Sequence, residues 1–136
     1  MDSRILEAVR EDNRYAYEAY DFICQAVTYT QNRIARRTSD DPDDQHVTAA
    51  ELLRGTVELA VKEFGMMAPI VFRYWGVRTT EDVGHLVFNL IRCERLSQSD
   101  RDELDDFVDV FDLGRALEDG FAMPRSTMAN RRGVER

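Results

Sequence analysis

The chain has 136 residues, of which 43% are hydrophobic and 32% are charged, and its net charge is −8. This composition is typical of a single globular domain that can bury a hydrophobic core. The acidic balance repels phosphate backbones and therefore disfavours nucleic acid as a partner. No apolar run reaches the roughly 20 residues that cross a bilayer, so no membrane segment is expected.

The N-terminus and the cysteines predict the compartment. Residues 1–14 carry charges throughout and do not resemble a secretion signal. Cys24 and Cys93 lie within apolar helical patterns and lack the spacing of a redox or zinc motif. Both observations favour a cytoplasmic protein, because the cytosol keeps thiols reduced.

The first long segment is predicted to be a helix with an unusually wide apolar face. Apolar residues from Ala16 to Ile34 recur at steps of three and four, which is one helical stripe. Tyr15, Phe22 and Tyr29 belong to a second stripe beside it. A face of this width predicts a helix that lies between several others, or between a core and a partner. The polar residues 36–45 that follow are predicted to form a loop.

The second helix has a clear predicted start. Thr48 and Glu51 have the spacing of a capping box, in which each side chain bonds the other residue's backbone N–H. The apolar steps of three and four then continue to Gly76, across Gly65 and Pro69. We therefore expect one kinked helix or two nearly coaxial helices, ending at Gly76 as the glycine just past the helix.

A third helix is predicted from Thr79 or Thr80 to Leu96. Together with the preceding helix and the short turn at Gly76, it resembles a helix–turn–helix. Reading DNA requires cations on the second helix of such a pair, and this one offers only Arg92 and Arg95, at its far end. The charge pattern therefore disfavours DNA binding while leaving the helix–turn–helix layout open.

The C-terminal third is acidic and then basic. Residues 100–106 have a helical pattern, whereas residues 107–113 fit either a helix or a strand. The predicted fold is a mainly α, compact bundle of four to five helices, with a short β-hairpin left open near 104–113. Residues 1–120 are predicted to be a single helical domain. Residues 121–136, with four arginines and one glutamate, are predicted to be a disordered basic tail.

Metal binding has only a faint signal in the sequence. Asp82 and Glu81 precede His85 by three and four residues, so all three side chains share one side of a helix. A carboxylate-bridged metal site needs a second such pair, which the sequence lacks. No nucleophile motif, phosphate-binding loop or dinucleotide fingerprint is present. We therefore predict no metal, no cofactor and no catalytic residue, and we regard Glu81, Asp82 and His85 as weak candidates.

Several short motifs resemble those of a small bacterial protein family of unknown function. They are His46-Val47 before the capped helix, Phe-Gly-x-Met-Ala at 64–68, Trp75-Gly76, Thr-Glu-Asp-x-Gly at 80–84 and Val-Phe-Asn-Leu at 87–90. The resemblance covers roughly residues 14–113 and implies a self-contained domain with a variable tail. It implies no activity and no catalytic residue, and Pro69 stands where the family has an ordinary helix former.

The favoured function is that of a non-enzymatic protein–protein interaction module, either a homo-oligomer or an adaptor in a cytoplasmic complex. Its partner would be self or another protein, because the apolar surface exceeds what four helices conceal. The predicted contact residues are Tyr15, Phe22, Tyr29, Met66, Ile70, Phe72 and Tyr74. The alternatives are a helix–turn–helix-like transcriptional or nucleic-acid-associated regulator and a metal-dependent enzyme with a carboxylate/histidine site.

Overall fold

The computed structural model describes residues 1–37, 47–97 and 103–122, and these residues contain no strand. The helices are α1 Ser3–Glu11, α2 Tyr17–Arg37, α3 Ala49–Phe64, α4 Ala68–Tyr74, α5 Thr80–Arg92 and α6 Leu113–Ala122. Two 3₁₀ turns, Gly65–Met67 and Leu104–Phe107, precede α4 and α6 respectively. The predicted mainly α, compact bundle is therefore confirmed, with α3 and α4 as the two parts of the predicted long helix.

Helix α2 lies among α1, α3 and α5, which together cover both of its apolar stripes. Tyr20 and Ile23 of the first stripe are buried, and so are Tyr15 and Phe22 of the second. The wide apolar face thus reflects a helix with neighbours on several sides. No second subunit is needed to shelter it.

The break between α3 and α4 occurs at Gly65, which has a positive φ of 56°. A residue with a side chain is strained in that conformation, so glycine permits the chain to leave α3 and enter the 3₁₀ turn. Pro69 then lies in the first turn of α4, where its missing N–H costs no helical hydrogen bond. The capping box predicted at Thr48 and Glu51 opens α3 as expected.

The end of α4 is also as predicted. Gly76 has a φ of 90° and donates its N–H to the Arg73 carbonyl, while the Val77 N–H donates to the Phe72 carbonyl at 2.8 Å. This pair of bonds is a Schellman motif, which satisfies carbonyls that the helix leaves free. The Trp75 carbonyl accepts from the Ala16 N–H at 3.2 Å, so the same turn is tied to the start of α2.

Helix α5 is the most enclosed element of the bundle. It begins with a capping box formed by Thr79 and Asp82, and it packs on α1, α2 and the turn Leu104–Phe107. Gly84 lies against Phe107, whose Cβ would be 2.7 Å from a Cβ added to the glycine. Residues 104–113 carry this 3₁₀ turn, a bend and the first residue of α6.

Some predicted segments fall wholly or partly outside the residues that the structure describes. Most of the loop predicted at 36–45 does so, as do residues 98–102 and the tail from 123 onward. His46, of the His-Val motif of the resemblance, lies there as well.

A polar network joins α1, α2 and α5 around Asp12. Arg14 donates to both carboxylate oxygens of Asp12, at 2.9 and 2.6 Å. The Asn89 side chain donates to Asp12 at 3.0 Å and to the Tyr20 hydroxyl at 3.1 Å, and that hydroxyl donates to the Asp12 carbonyl. Arg92 in turn donates to the Asn89 side-chain oxygen. The network therefore links the turn between α1 and α2 to α5 by side-chain hydrogen bonds.

The hydrogen bond from Arg14 is the main reason that the pKa of Asp12 lies well below its usual 3.8. A carboxyl whose pKa is lowered on folding stabilises the native state above its unfolded pKa, and this contribution is lost as the pH falls below that value. Burial raises the pKa of Tyr20 to about 12, so its hydroxyl stays protonated and continues to donate at neutral pH.

We expect Asp12→Asn to lower the free energy of unfolding at pH 7 by about 1–2 kcal/mol, a figure reduced for solvent screening around the half-exposed Arg14. The gap between the two proteins should narrow as the pH falls from 4 toward 2, since the Asp12 carboxyl of the unfolded chain then takes up a proton while that of the native state stays charged. Urea unfolding across this pH range measures both effects. Asp105→Asn, at an exposed position, is the matched control and should leave stability within about 0.5 kcal/mol. A constant gap at all pH values would contradict the assigned role of the carboxylate.

Candidate interaction surface

The outward side of α4 and the turn before it forms an apolar strip. Met66, Met67, Ile70 and Tyr74 are 67%, 50%, 53% and 87% exposed, and we call them the α4 strip. Met66, Ile70 and Tyr74 are four residues apart, and Met67 precedes Ile70 by three, so the four side chains lie toward one side of the element. A contiguous group of this kind is characteristic of a contact surface, whereas single exposed apolar residues are common.

The opposite side of α4 is held in the core by an aromatic cluster. Phe72 packs against Phe22 of α2 and against Trp75, with ring centroids 5.7 and 5.6 Å apart. Phe64, at the end of α3, lies 5.6 Å from both Phe22 and Trp75. Because these rings anchor one side of a short helix, its other side necessarily faces outward.

The seven predicted contact residues differ in their exposure to solvent. Tyr15, Phe22 and Phe72 are buried within the chain, so they are not available to a partner in this structure. The reason is the packing of α1, α3 and α5 around α2, together with the aromatic cluster beneath α4. Tyr29 is half-buried and stacks with Arg33 and Lys62. Met66, Ile70 and Tyr74 are exposed, which leaves a narrower surface than the one predicted.

Met67 is the strip residue that the sequence did not indicate. Its spacing from Phe64 and Val71 assigns it to the buried stripe, provided that one helix runs through the segment without interruption. The 3₁₀ turn, with three residues per turn, rotates Met67 out of that stripe. Gly65 followed closely by Pro69 was the available signal for this break.

The weak metal candidates have other roles in the structure. Asp82 accepts hydrogen bonds from the Tyr15 hydroxyl at 2.6 Å and from the backbone N–H groups of Arg78 and Thr79 at 2.8 and 3.1 Å. His85 lies 3.4 Å from Glu81 and forms an ion pair with it when protonated. Among the residues that the structure describes, no group of three or more His, Cys, Asp or Glu side chains is close enough to hold a metal ion.

The packing of α5 bears on the helix–turn–helix layout predicted from the sequence. In a DNA-reading pair, the second helix presents an open side to the major groove. Most of α5 is buried or half-buried, and it is open to solvent mainly near its two ends, where the Glu81 side chain is 47% exposed and Arg92 is half-exposed. Helix α5 is therefore a core element, and α4 packs on α3 and α6 instead of forming a recognition pair with it.

A shallow cavity of about 190 Å³ lies beside the α4 strip. It is bounded by α4, the turn into α5 and the first residues of α6, and its lining includes the apolar Phe72, Leu113 and Leu117 and the charged Arg73, Arg78 and Glu118. Small-molecule sites usually measure about 300–1,000 Å³, so this cavity is small for a ligand or cofactor.

Comparison with models of protein families finds no match to this chain. Searches of curated proteins and of solved structures return no similar protein either. The resemblance noted in the sequence therefore remains a prediction. Within residues 1–37, 47–97 and 103–122, no helix combines the length and the apolar character needed to cross a membrane.

Proposed function

We propose that this protein is a non-enzymatic interaction module whose contact surface is the α4 strip. It would act in the cytoplasm as a homo-oligomer or as an adaptor in a protein complex. The observation that carries the proposal is the group of four large apolar side chains exposed together on one short element. The two buried free cysteines support the cytoplasmic location.

The energetic reason is the apolar area that the strip leaves in water. Burying a side chain of this size contributes roughly 1.5–3 kcal/mol before ordering costs are subtracted. Tyr74 and the two methionines are also residue types that are enriched at protein interfaces, since they offer a large apolar area that adapts to its partner. Anchoring of α4 by Phe72 presents the strip with little further ordering on binding.

We expect Ile70→Asp to weaken association by about tenfold or more, because it places a charge in the middle of the apolar strip. Two measurements test this result. Sedimentation velocity over a concentration series reports self-association, and capture from the native cell extract on immobilised protein reports an adaptor role. Circular dichroism should be unchanged, since the Ile70 side chain is 53% exposed and does not belong to the hydrophobic core.

Val108→Asp is the matched control for this experiment. Val108 is also exposed, at 38%, but it lies just after the turn Leu104–Phe107, on a different element from the strip. It should leave both self-association and capture unchanged. The proposal would be overturned if the native protein stayed monomeric and if the native and Ile70→Asp proteins captured the same set of proteins.

A further inference from the structure

Two arginines line the cavity beside the α4 strip without a partner for their charges. Arg73 and Arg78 are both exposed, and among the residues that the structure describes neither guanidinium has a hydrogen bond or an ion pair. Four other arginines do form ion pairs within the chain, namely Arg14, Arg33, Arg95 and Arg115. In a chain with 26 acidic and 18 basic residues, two cations that share a cavity and lack a carboxylate are available to bind an anion.

The same cavity also has an apolar lining. Phe72, Leu113 and Leu117 line it and are almost completely buried, so they belong to the core. An apolar cavity of about 150 Å³ admits a molecule the size of benzene. A cavity of about 190 Å³ is therefore large enough for one large apolar side chain. The lining fits a ligand in which an apolar group lies next to an anionic one.

The cavity and the α4 strip adjoin each other along α4. Pro69 and Arg73 line the cavity, and each is followed directly by a residue of the strip, Ile70 and Tyr74. Successive residues of an α-helix point about 100° apart, so the two surfaces are neighbours on the helix. A partner that covers the strip therefore also reaches the cavity.

We propose that the α4 strip and the cavity beside it bind a short acidic segment of another protein, in which a large apolar residue lies next to aspartate or glutamate. The apolar side chain enters the cavity, carboxylates pair with Arg73 and Arg78, and neighbouring apolar residues cover the strip. This inference rests on the proposed function, and it names the chemistry of the partner at the same surface.

Charge complementarity is the reason for a short acidic segment. A long phosphate polymer would extend beyond the cavity and be repelled by the net charge of −8. A short segment interacts mainly with charges within the Debye length, which is about 8 Å at physiological salt. Among the residues that line the cavity, the two arginines outnumber Glu118, which has no ion-pair partner in the described part of the chain.

Selection from a displayed library of random short peptides on the immobilised native protein tests this chemistry. We expect the enriched sequences to combine a large apolar residue with an adjacent aspartate or glutamate. A synthetic peptide of this kind should bind with a dissociation constant in the micromolar range, measured by fluorescence anisotropy. Arg73→Gln and Arg78→Gln should each weaken its binding by about three- to fivefold, and the double variant by about tenfold or more, because each removes one charged pair at an exposed site.

Three further variants complete the experiment. Glu118→Gln should strengthen binding of the peptide by about twofold, because it removes a charge of the same sign as the peptide's own. Arg10→Gln and Arg54→Gln remove exposed arginines that do not line the cavity, and they should leave binding unchanged. Circular dichroism checks that every variant is folded.

The inference is overturned if no sequence is enriched, if the enriched sequences lack an acidic residue, or if the double arginine variant binds them as tightly as the native protein. Two other results would assign the arginines to a different occupant and also reject it. Displacement of the peptide by random-sequence DNA would indicate nucleic acid. Self-association of the native protein that the double variant abolishes would indicate a second copy of this chain.

The outcomes also separate this inference from the proposed function. If the selected peptides show no preference for acidic residues but capture from the cell extract still depends on Ile70, the interaction surface stands and the acidic segment is wrong. If the native protein neither self-associates nor captures a partner that depends on Ile70, both fail.

Discussion

Replacing Phe107 by alanine is expected to lower the free energy of unfolding by about 3–5 kcal/mol. Phe107 is 2% exposed, and it packs edge-on against Phe88 with ring centroids 6.2 Å apart. It also lies over Gly84, where the absence of a Cβ lets the ring approach the α5 backbone closely. Alanine would leave a cavity at this contact and would release the turn Leu104–Phe107 from α5.

Thermal and urea unfolding followed by circular dichroism measure this loss. For a domain of this size we expect the melting temperature to fall by on the order of 10 °C or more. Val108→Ala, one residue later at a 38% exposed position, should cost less than about 1 kcal/mol. Similar losses for the two variants would contradict the placement of Phe107 in the core.

Gly76→Ala should cost about 2–4 kcal/mol, which combines the strain of a positive φ with a steric clash. Gly76 has a φ of 90°, and an added Cβ would lie 2.4 Å from the Arg14 carbonyl oxygen. That oxygen belongs to the backbone of the turn between α1 and α2, so a rotamer change cannot relieve the contact. The end of α4 would have to move away from α2, and the strip would move with it.

The matched control is Gly114→Ala, in the first turn of α6. An added Cβ there meets only an Asp112 carboxylate oxygen at 3.7 Å, and alanine favours helix over glycine. The control should therefore be neutral or stabilising by up to about 1 kcal/mol. A Gly76→Ala protein as stable as the Gly114→Ala protein would mean that the turn at Gly76 tolerates a side chain.

Local signals allowed the helix ends to be predicted from sequence. Thr48 with Glu51 and Gly76 after α4 act through partners within a few residues, so their spacing predicts the local structure. The start of α5 was predicted at Thr79 or Thr80, and the structure places it at Thr79, which forms a capping box with Asp82. The end of α5 was harder to predict from the sequence. It closes at Glu94, which has a φ of 64° where glycine is usual, so the sequence offered no glycine to mark the stop.

The candidate surface could be predicted only in part. The sequence shows how wide an apolar face is, but the neighbours that cover it come from distant parts of the chain. Tyr15 illustrates this, since its hydroxyl bonds Asp82, a partner 67 positions away. Met67 illustrates a second limit, because its exposure depends on a rotation introduced at Gly65. The hydrogen-bond network between Asp12 and Asn89 likewise joins residues far apart in the sequence, so no local sequence pattern predicts it.

Methyl NMR of Met66 and Met67 tests most directly whether the α4 strip contacts protein. Protein labelled with ¹³C at its methionine methyl groups would be titrated with unlabelled protein and, separately, with native cell extract. Met66→Leu and Met67→Leu assign the two signals, and the exposed Met1 serves as the internal reference. We predict that the Met66 and Met67 signals shift or broaden in at least one titration while Met1 does not. If both signals stay unchanged up to on the order of 1 mM protein and in the extract, the strip has no protein partner.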